Sequence, residues 1–204
     1  MRTEGQEKQD QIVEVAIRRF SHFGISKTTL TEIADDVSMS RQAFLYYFHD
    51  KNALLSAVTE KVVTELLDDI EKTLDRSKQA EEGLIGMLDC KHNFLNKYML
   101  LAVQADKKDQ LQSAEVKTIV AEAKSRHHNL ISRFLDRQIR AGELKDFDTE
   151  MIAGLIIETI SAFDHSMRME AGVPDEGDLN HLLDVQKKVL ALLITGLKST
   201  EWKG

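Results

Sequence analysis

The chain has 204 residues, of which 42% are hydrophobic and 30% charged, and its formal net charge is −7 at pH 7. This length can hold a small domain and a larger one, and the acidic balance excludes nucleic-acid binding through bulk charge. One proline and ten glycines leave few helix breakers, and no long stretch alternates with period two, so the predicted class is all-α.

The sequence also indicates a compartment. Its lone cysteine, Cys90, excludes an intrachain disulfide and is typical of a reducing cytosol. No apolar run reaches the roughly 18 residues that a membrane span needs, and the first ten residues contain no signal-peptide core. We therefore expect a cytoplasmic protein with no membrane partner, and disorder from Met1 to about Gln6.

Two short helices with a tight turn between them are predicted from Thr28 onward. In the first helix, apolar residues recur at the spacing of one buried face. They are Leu30, Ile33, Ala34 and Val37. Thr29 and Glu32 have the spacing of a capping box, and Ser40 is a suitable N-cap for the second helix. Phe44 and Phe48 lie one turn apart and should anchor that second helix to the core. The pattern predicts a helix-turn-helix.

The second helix then presents a polar and aromatic face. Ser38, Arg41, Gln42 and Leu45 point outward, with Tyr46 and Tyr47 on the flanks. Arginine and glutamine are the side chains that recognise guanine and adenine edges in a DNA major groove, and leucine can touch a thymine methyl. The alternatives are a solvated helix face for the arginine and glutamine, and packing of the tyrosines against Phe20 or Phe23.

At these residues the chain resembles the tetracycline-repressor (TetR) family of bacterial transcription regulators, over about its first quarter. The matching positions are Ile12, Ala16, Phe20, Gly24, Thr28, Thr29, Ile33, Ala34, Ser40, Tyr46, Tyr47, Phe48, Lys51, Leu54 and Leu55. A weaker similarity covers Arg140 to Leu144 and Asp148. Two positions depart from the family pattern: Ser38 replaces a common turn glycine, and Leu45 replaces a common tyrosine.

The resemblance implies double-stranded DNA with a palindromic operator as the partner. It implies that Thr29, Tyr47 and Lys51 hold phosphates, while Thr31, Arg41, Gln42 and Leu45 approach bases. Lys51 suits a phosphate for a physical reason as well, because an ammonium beside a helix N-terminus attracts anions. The predicted DNA-binding set is Thr29, Thr31, Ser40, Arg41, Gln42, Leu45, Tyr46, Tyr47 and Lys51.

Local charge supports this surface better than total charge does. Residues 1–51 carry seven Lys and Arg against eight Asp and Glu. Residues 37–49, however, contain Arg41 and no carboxylate. We call the predicted DNA-binding segment, residues 1–52, the head. One head should therefore bind DNA with modest affinity, and two heads should be needed for tight binding. Arg18, Arg19 and Lys27 are further candidates for phosphate contacts, with simple solvation as the alternative.

Five helices are predicted after the head. Their approximate ranges are 51–76, 81–105, 114–141, 149–171 and 178–198, with a polar turn at 107–112 and a loop containing Gly172, Pro174 and Gly177. The predicted domains are 1–52, a helix-turn-helix DNA-binding domain, and 53–204, a larger helical ligand-binding and dimerisation domain. The helix that starts at Lys51 links them.

The second domain is predicted to bind a small molecule and a second copy of the chain. The last two helices carry apolar residues on more than one face, and the resemblance implies that they pair with their mates in a homodimer. The alternative is burial within one chain. Candidate pocket residues for an unidentified apolar or amphipathic effector are Met87, Cys90, Phe94, Tyr98, Phe134, Phe163, His165 and Met167. Ordinary core packing is the alternative for each of them.

The other function classes find little support. The sequence has no glycine-rich phosphate loop, nucleophile elbow or zinc spacing, so no enzyme, cofactor or metal site is predicted. His127 and His128 are adjacent and diverge on a helix, which prevents joint chelation. We therefore predict a ligand-responsive transcription regulator, most simply a repressor. A constitutive DNA-binding protein without effector and a helical enzyme are the alternatives.

Overall fold

The chain folds into helices throughout the part that the structure describes. The computed structural model describes residues 3–105, 113–171 and 175–199, without the side chains of residues 99–105 and 167–171. These ranges form eight α-helices and no β-strand, which confirms the all-α class. The helices are α1 (Glu4–Phe23), α2 (Leu30–Asp36), α3 (Arg41–Tyr47), α4 (Lys51–Arg76), α5 (Ala80–Ala105), α6 (Ala114–Arg140), α7 (Thr149–Ala171) and α8 (Glu176–Leu197).

The helix ends agree closely with the sequence patterns. α5 begins at Ala80 rather than Glu81, and α8 begins at Glu176 because Asp175 is its N-cap. The expectation of disorder to about Gln6 is wrong from Thr3 onward. The Gln6 amide donates to Thr3 Oγ1, and the Thr3 amide donates to Gln6 Oε1, so a capping box starts α1. The predicted turn at 107–112, and Gly172 and Pro174 of the predicted loop, lie outside the described residues.

The chain divides into two compact units. The first comprises Met1–Thr64 and Tyr98–Ala121, and the second comprises Glu65–Lys97 and Glu122–Gly204. The sequence of α4 therefore starts in the first unit and ends in the second. The predicted domain boundary between residues 52 and 53 stays a prediction. None of the described helices combines the length and apolarity that crossing a bilayer requires.

A small core holds the first three helices together. Phe20 of α1, Ile33 of α2 and Phe44 of α3 are fully buried in it. An ion pair adds to the packing of α1 on α2: the Arg19 guanidinium donates to both Asp36 carboxylate oxygens, at 2.5 and 2.9 Å. This hydrogen bonding holds the pKa of Asp36 below its usual value. The buried core and this ion pair therefore hold the first three helices against one another.

The second unit has a separate apolar core. Its fully or almost fully buried members come from α4 to α8 and include Ile70, Leu84, Met87, Ile131, Leu135, Ala153, Ile156, Leu190 and Ile194. Three arginines of α6 also bind the C-terminal part of α4. Arg126 donates to Asp68 at 2.8 Å and to Glu71 at 2.7 Å, and Arg133 donates to Glu71 at 3.2 Å. Arg137 donates to the carbonyl of Leu74, in the last turn of α4, and to that of Ser77, just after the helix.

A buried carboxylate fixes the joint between α6 and α7 to the start of α5. Glu143 is buried, and its Oε2 accepts a hydrogen bond from the Ala80 amide at 2.8 Å. The Gln138 side-chain nitrogen donates to the same oxygen at 3.0 Å. The Glu143 carbonyl accepts from the Ser199 amide at 2.8 Å, next to an isolated bridge between Leu144 and Lys198. One residue thus ties together three separate segments, and its charge faces the positive end of α5.

Replacing Glu143 with glutamine should lower the free energy of unfolding by about 1–3 kcal/mol, because the Ala80 amide and the Gln138 amide lose a charged acceptor. Urea unfolding monitored by circular dichroism measures this. Glu158→Gln, at an exposed position of α7, is the control and should change stability by less than about 0.5 kcal/mol. Equal effects of the two variants would contradict the role of Glu143.

Candidate DNA interface and ligand-pocket residues

The turn between α2 and α3 depends on a strained serine. Ser38 has a φ of +53°, in the left-handed region that costs an ordinary residue about 1–2 kcal/mol. The turn is closed by backbone hydrogen bonds from Ser38 to Asp35 and from Met39 to Ala34, at 3.0 and 2.9 Å. A glycine would adopt this conformation without the strain. The sequence comparison with the family pattern located this position, and the structure supplies the physical reason for a glycine there.

Helix α3 is anchored on one side and open on the other. Phe44 and Phe48 are buried, as predicted, and their rings lie 6.2 Å apart. Ser40 is the N-cap, since its Oγ accepts from the Ala43 amide at 3.2 Å. Arg41 and Gln42, in the first turn, are exposed and form no hydrogen bond or ion pair with another described residue. Their donors and acceptors are therefore available to a partner.

Aromatic and apolar side chains extend this open face. Leu45, one turn after Arg41, is 36% exposed. Tyr46 is 86% exposed, which rules out the alternative that it packs in the core. Tyr47 is half-buried, and the two tyrosine rings meet edge to face with centroids 5.3 Å apart. The predicted base-reading residues of α3 and its flanking tyrosine thus share one exposed surface.

The predicted phosphate contacts have partners within the protein. Thr29 is exposed and is the N-cap of α2, where its Oγ1 accepts from the Glu32 amide at 3.3 Å and donates to the Glu32 carboxylate at 2.8 Å. Lys51 donates from Nζ to the Thr28 carbonyl at 2.6 Å, and burial lowers its pKa. Asp50 accepts from the Ala53 amide at 2.7 Å, so a carboxylate already occupies the start of α4.

Thr31 lies exposed in the first turn of α2. Arg18 and Lys27 are exposed as well. Arg19 differs from these two, because its guanidinium is engaged by Asp36 and lies 5.7 Å from the Phe23 ring centroid. Its charge is neutralised within the first unit. A phosphate contact from Arg19 would need this ion pair to break.

The predicted pocket residues separate into several groups. Met87 and Phe134 are buried in the apolar core, and Phe134 lies so close to Gly83 that an added Cβ there would come within 2.3 Å of the ring. Cys90 lies partly buried 3.3 Å from the Thr73 hydroxyl. Phe94 and Phe163 are half-buried, His165 is exposed, and Tyr98 is buried in the first unit. The side chain of Met167 lies outside the described residues. Their roles as a pocket stay a prediction.

The structure brings together a buried polar group whose association the sequence patterns did not predict. Lys91 of α5 forms an ion pair with Asp164 of α7, and Asp164 also accepts from the Gln186 amide of α8 at 2.9 Å. His127 of α6 is mostly buried, and its Nε2 has no hydrogen-bond partner among the described residues. Burial, together with the charge of Lys91, lowers the pKa of His127 to about 4, so the imidazole is neutral at pH 7.

The comparisons with known proteins agree with the geometry of the head. The family model for bacterial regulatory proteins of the tetR family matches residues 12–58. Residues 12–58 therefore belong to the TetR family of DNA-binding segments. The transcriptional regulator TtgR of Pseudomonas putida is 35% identical over 80 residues, which are 39% of this chain and 34% of TtgR. AcrR of Shigella flexneri is 42% identical over 57 residues, which are 28% of this chain and 26% of AcrR.

These curated relatives are matched over only a quarter to a third of their own length. Solved structures extend the similarity of fold to the rest of the chain. A transcriptional regulator from Cytophaga hutchinsonii has a TM-score of 0.84 at 22% identity, covering 94% of this chain and 99% of its own. A TetR-family regulator from Pectobacterium atrosepticum has a TM-score of 0.76 at 21% identity, covering 98% of both chains. This likeness establishes the TetR fold.

Replacing Ser38 with glycine should raise the free energy of unfolding by about 0.5–1 kcal/mol, because glycine adopts the positive φ without strain. Ser38→Ala removes the same hydroxyl and keeps the strain, so it is the matched control and should not stabilise. Chemical denaturation of both variants measures the difference. If alanine stabilised as much as glycine, the hydroxyl rather than the backbone would be the cause.

Proposed function

We propose that this chain is a sequence-specific DNA-binding transcription regulator, acting as a repressor that leaves a palindromic operator when a small apolar or amphipathic ligand binds. The observation that carries the proposal is the surface of α3. Arg41 and Gln42 are exposed and have no hydrogen-bond or ion-pair partner among the described residues, and the buried Phe44 and Phe48 hold their helix in place. A rigid helix with such side chains in its first turn is the arrangement by which helix-turn-helix proteins contact base edges.

The relatives support the regulatory part of the proposal. TtgR and AcrR are HTH-type transcriptional regulators. Among the solved structures of the same fold, the regulator FadR of Bacillus subtilis contains stearoyl-CoA, at a TM-score of 0.69 and 20% identity, covering 92% of this chain and 98% of its own. A ligand-binding second unit is therefore a reasonable expectation here. A regulator of bacterial genes would act in the cytoplasm.

The proposed homodimer is supported by the apolar surface of α7 and α8. Leu192 and Leu193 of α8 are 74% and 44% exposed, and Met151 and Leu155 of α7 are exposed too. A shallow groove lies beside them. It is lined by Ile156, Thr159, Ile160, Phe163, Gln186, Val189, Leu190 and Leu193. In a two-fold dimer the same patch of each protomer contacts its copy. The exposed leucines of one protomer can then pack into the groove of its partner, and the reverse.

The proposed switch acts on the spacing of the two heads. Two α3 helices must enter successive major grooves roughly 34–36 Å apart, or a multiple of that distance. Helix α4 is the covalent connection, and its C-terminal part is held by Arg126, Arg133 and Arg137 of α6. A ligand that favours a mis-spaced state by a few kcal/mol would release the operator, provided that it binds the two states with different affinity.

Selection of bound duplexes from a random DNA pool should enrich a palindrome. On the enriched duplex, Arg41→Ala should weaken binding by about 1–3 kcal/mol and relax the preference at one base pair per half-site, because a bidentate base contact is lost. Arg140 is an exposed arginine of the second unit, so Arg140→Ala is the control and should leave the affinity and the base-pair preference unchanged. Fluorescence anisotropy at fixed salt measures the affinities. Failure to enrich any sequence would sink the proposal.

Replacing Leu193 with glutamate should convert the dimer into a monomer and raise the dimer dissociation constant by about 100-fold or more, because a charge would be buried in an apolar interface. Sedimentation velocity over a range of protein concentrations measures this. Lys124→Glu, at an exposed position of α6, is the control that should remain dimeric. A monomeric wild-type protein, or an unaffected Leu193 variant, would contradict the proposed interface.

A further inference from the structure

Four helices of the second unit each contribute one polar side chain to its interior. Lys91, Asp164 and Gln186 are joined by hydrogen bonds, and Lys91 is close enough to His127 to act on its titration. Asp164 and Gln186 are buried, and Gln186 also donates to the Ile160 carbonyl at 3.3 Å. Buried polar groups in an otherwise apolar core are uncommon and require an explanation.

Within this group, Nε2 of His127 is the atom that has no hydrogen-bond partner among the described residues. It lies on the face of α6 that carries the buried residues Leu130, Ile131 and Phe134, three, four and seven positions further along. Leaving a buried ring nitrogen without a partner costs about 1–3 kcal/mol. Its neighbour His128 is different, because Nδ1 and Nε2 of that ring both meet Glu150, at 3.2 and 3.0 Å. Of the two adjacent histidines, only His127 therefore carries the free-energy cost of a buried ring nitrogen without a partner.

We propose that His127, supported by Lys91, is the anchor for the carboxylate of an amphipathic monocarboxylic acid that binds in the second unit. The inference rests on the proposed ligand-responsive regulator and gives its effector a chemical class. Nε2 donates to the carboxylate, and the apolar part of the acid contacts the hydrophobic side chains of the same helices. Apolar surroundings with a few convergent polar groups are the usual composition of a small-molecule site.

The charges around His127 favour an anion over a neutral or cationic group. The charged or titratable groups that act on it are Lys91 of α5 and His128 of α6, and both disfavour a further positive charge. Asp164 of α7 faces Lys91 and forms an ion pair with it, and Gln186 of α8 is uncharged. An incoming carboxylate supplies the negative charge that His127 lacks, so the imidazole can become protonated in the complex.

This arrangement links ligand binding to proton uptake. In the free protein His127 is neutral above about pH 4. A carboxylate at Nε2 favours the charged imidazole and raises the pKa of His127 in the complex. Between the two pKa values the complex holds more protons than the free protein, so affinity must fall as the pH rises, by up to about tenfold per pH unit. A ligand with a hydroxyl in place of the carboxylate would not raise the pKa in this way.

Isothermal titration calorimetry on the full chain without DNA tests the proposal. The probes are octanoate and benzoate, each paired with its alcohol, octanol or benzyl alcohol, at about pH 6 in two buffers with different ionisation enthalpies. We expect at least one acid to bind with uptake of about one proton per site, and about tenfold or more tighter than its alcohol. Binding of neither acid, or binding without proton uptake, would overturn the proposal.

Two histidine variants locate the proton. His127→Gln should abolish the proton uptake and weaken binding of the acid by about tenfold to a hundredfold. His128→Gln should retain the proton uptake and the affinity of the wild type. Thermal unfolding followed by circular dichroism checks that both variants fold, and the wild-type proton uptake is a test that needs no variant. If His127→Gln retained the uptake, the anchor would lie elsewhere. These measurements involve no DNA, so their failure and a failure of operator selection are separate results.

Discussion

The burial of Phe44 and Phe48 is the interaction on which the candidate interface depends. Both rings are inserted in the core of the first unit, one turn apart on a helix of only seven residues. A helix this short is not stable by itself, so tertiary packing must fix its orientation. With those two positions buried, helical geometry places Gln42 and Tyr46 on the opposite side, whereas Arg41 and Leu45 lie at the edges of the buried face and are exposed there. The chemistry of the surface is therefore a consequence of the core beneath it.

The same logic explains which parts of the fold could be predicted from the sequence. Helices α4 to α8 carry long runs of apolar residues at three- and four-residue spacing, and their ends follow caps and breakers, so their bounds were predicted within about two residues. The start of α1 was missed because Thr3 and Gln6 form a capping box without an apolar pattern in the first turn. The positive φ of Ser38 was predictable only through the glycine of the family pattern, since serine by itself gives no such signal.

The interior of the second unit was predicted less well, for a physical reason. An apolar side chain on a helix face has the same spacing whether it packs against a neighbour or lines a cavity, and Phe134 proves to lie tightly against Gly83. As an adjacent pair, His127 and His128 were weighed only as metal ligands, and their divergence on a helix excluded that role. A better signal was available, because His127 continues the buried face of Leu130, Ile131 and Phe134, where a polar residue is costly. What the spacing cannot show is that Lys91 and Asp164 lie nearby.

The low charge of the head has a consequence for the proposed switch. Proteins that bind DNA mainly through phosphates gain affinity from many cations, and residues 1–51 have more acidic than basic side chains. Arg19 contributes less than its charge suggests, because Asp36 neutralises it. Tight binding must then come from base contacts made by two heads at once, so it depends strongly on their spacing. A ligand that disturbs this spacing removes one head's contribution entirely, and a difference of a few kcal/mol between the two states is enough to empty the operator.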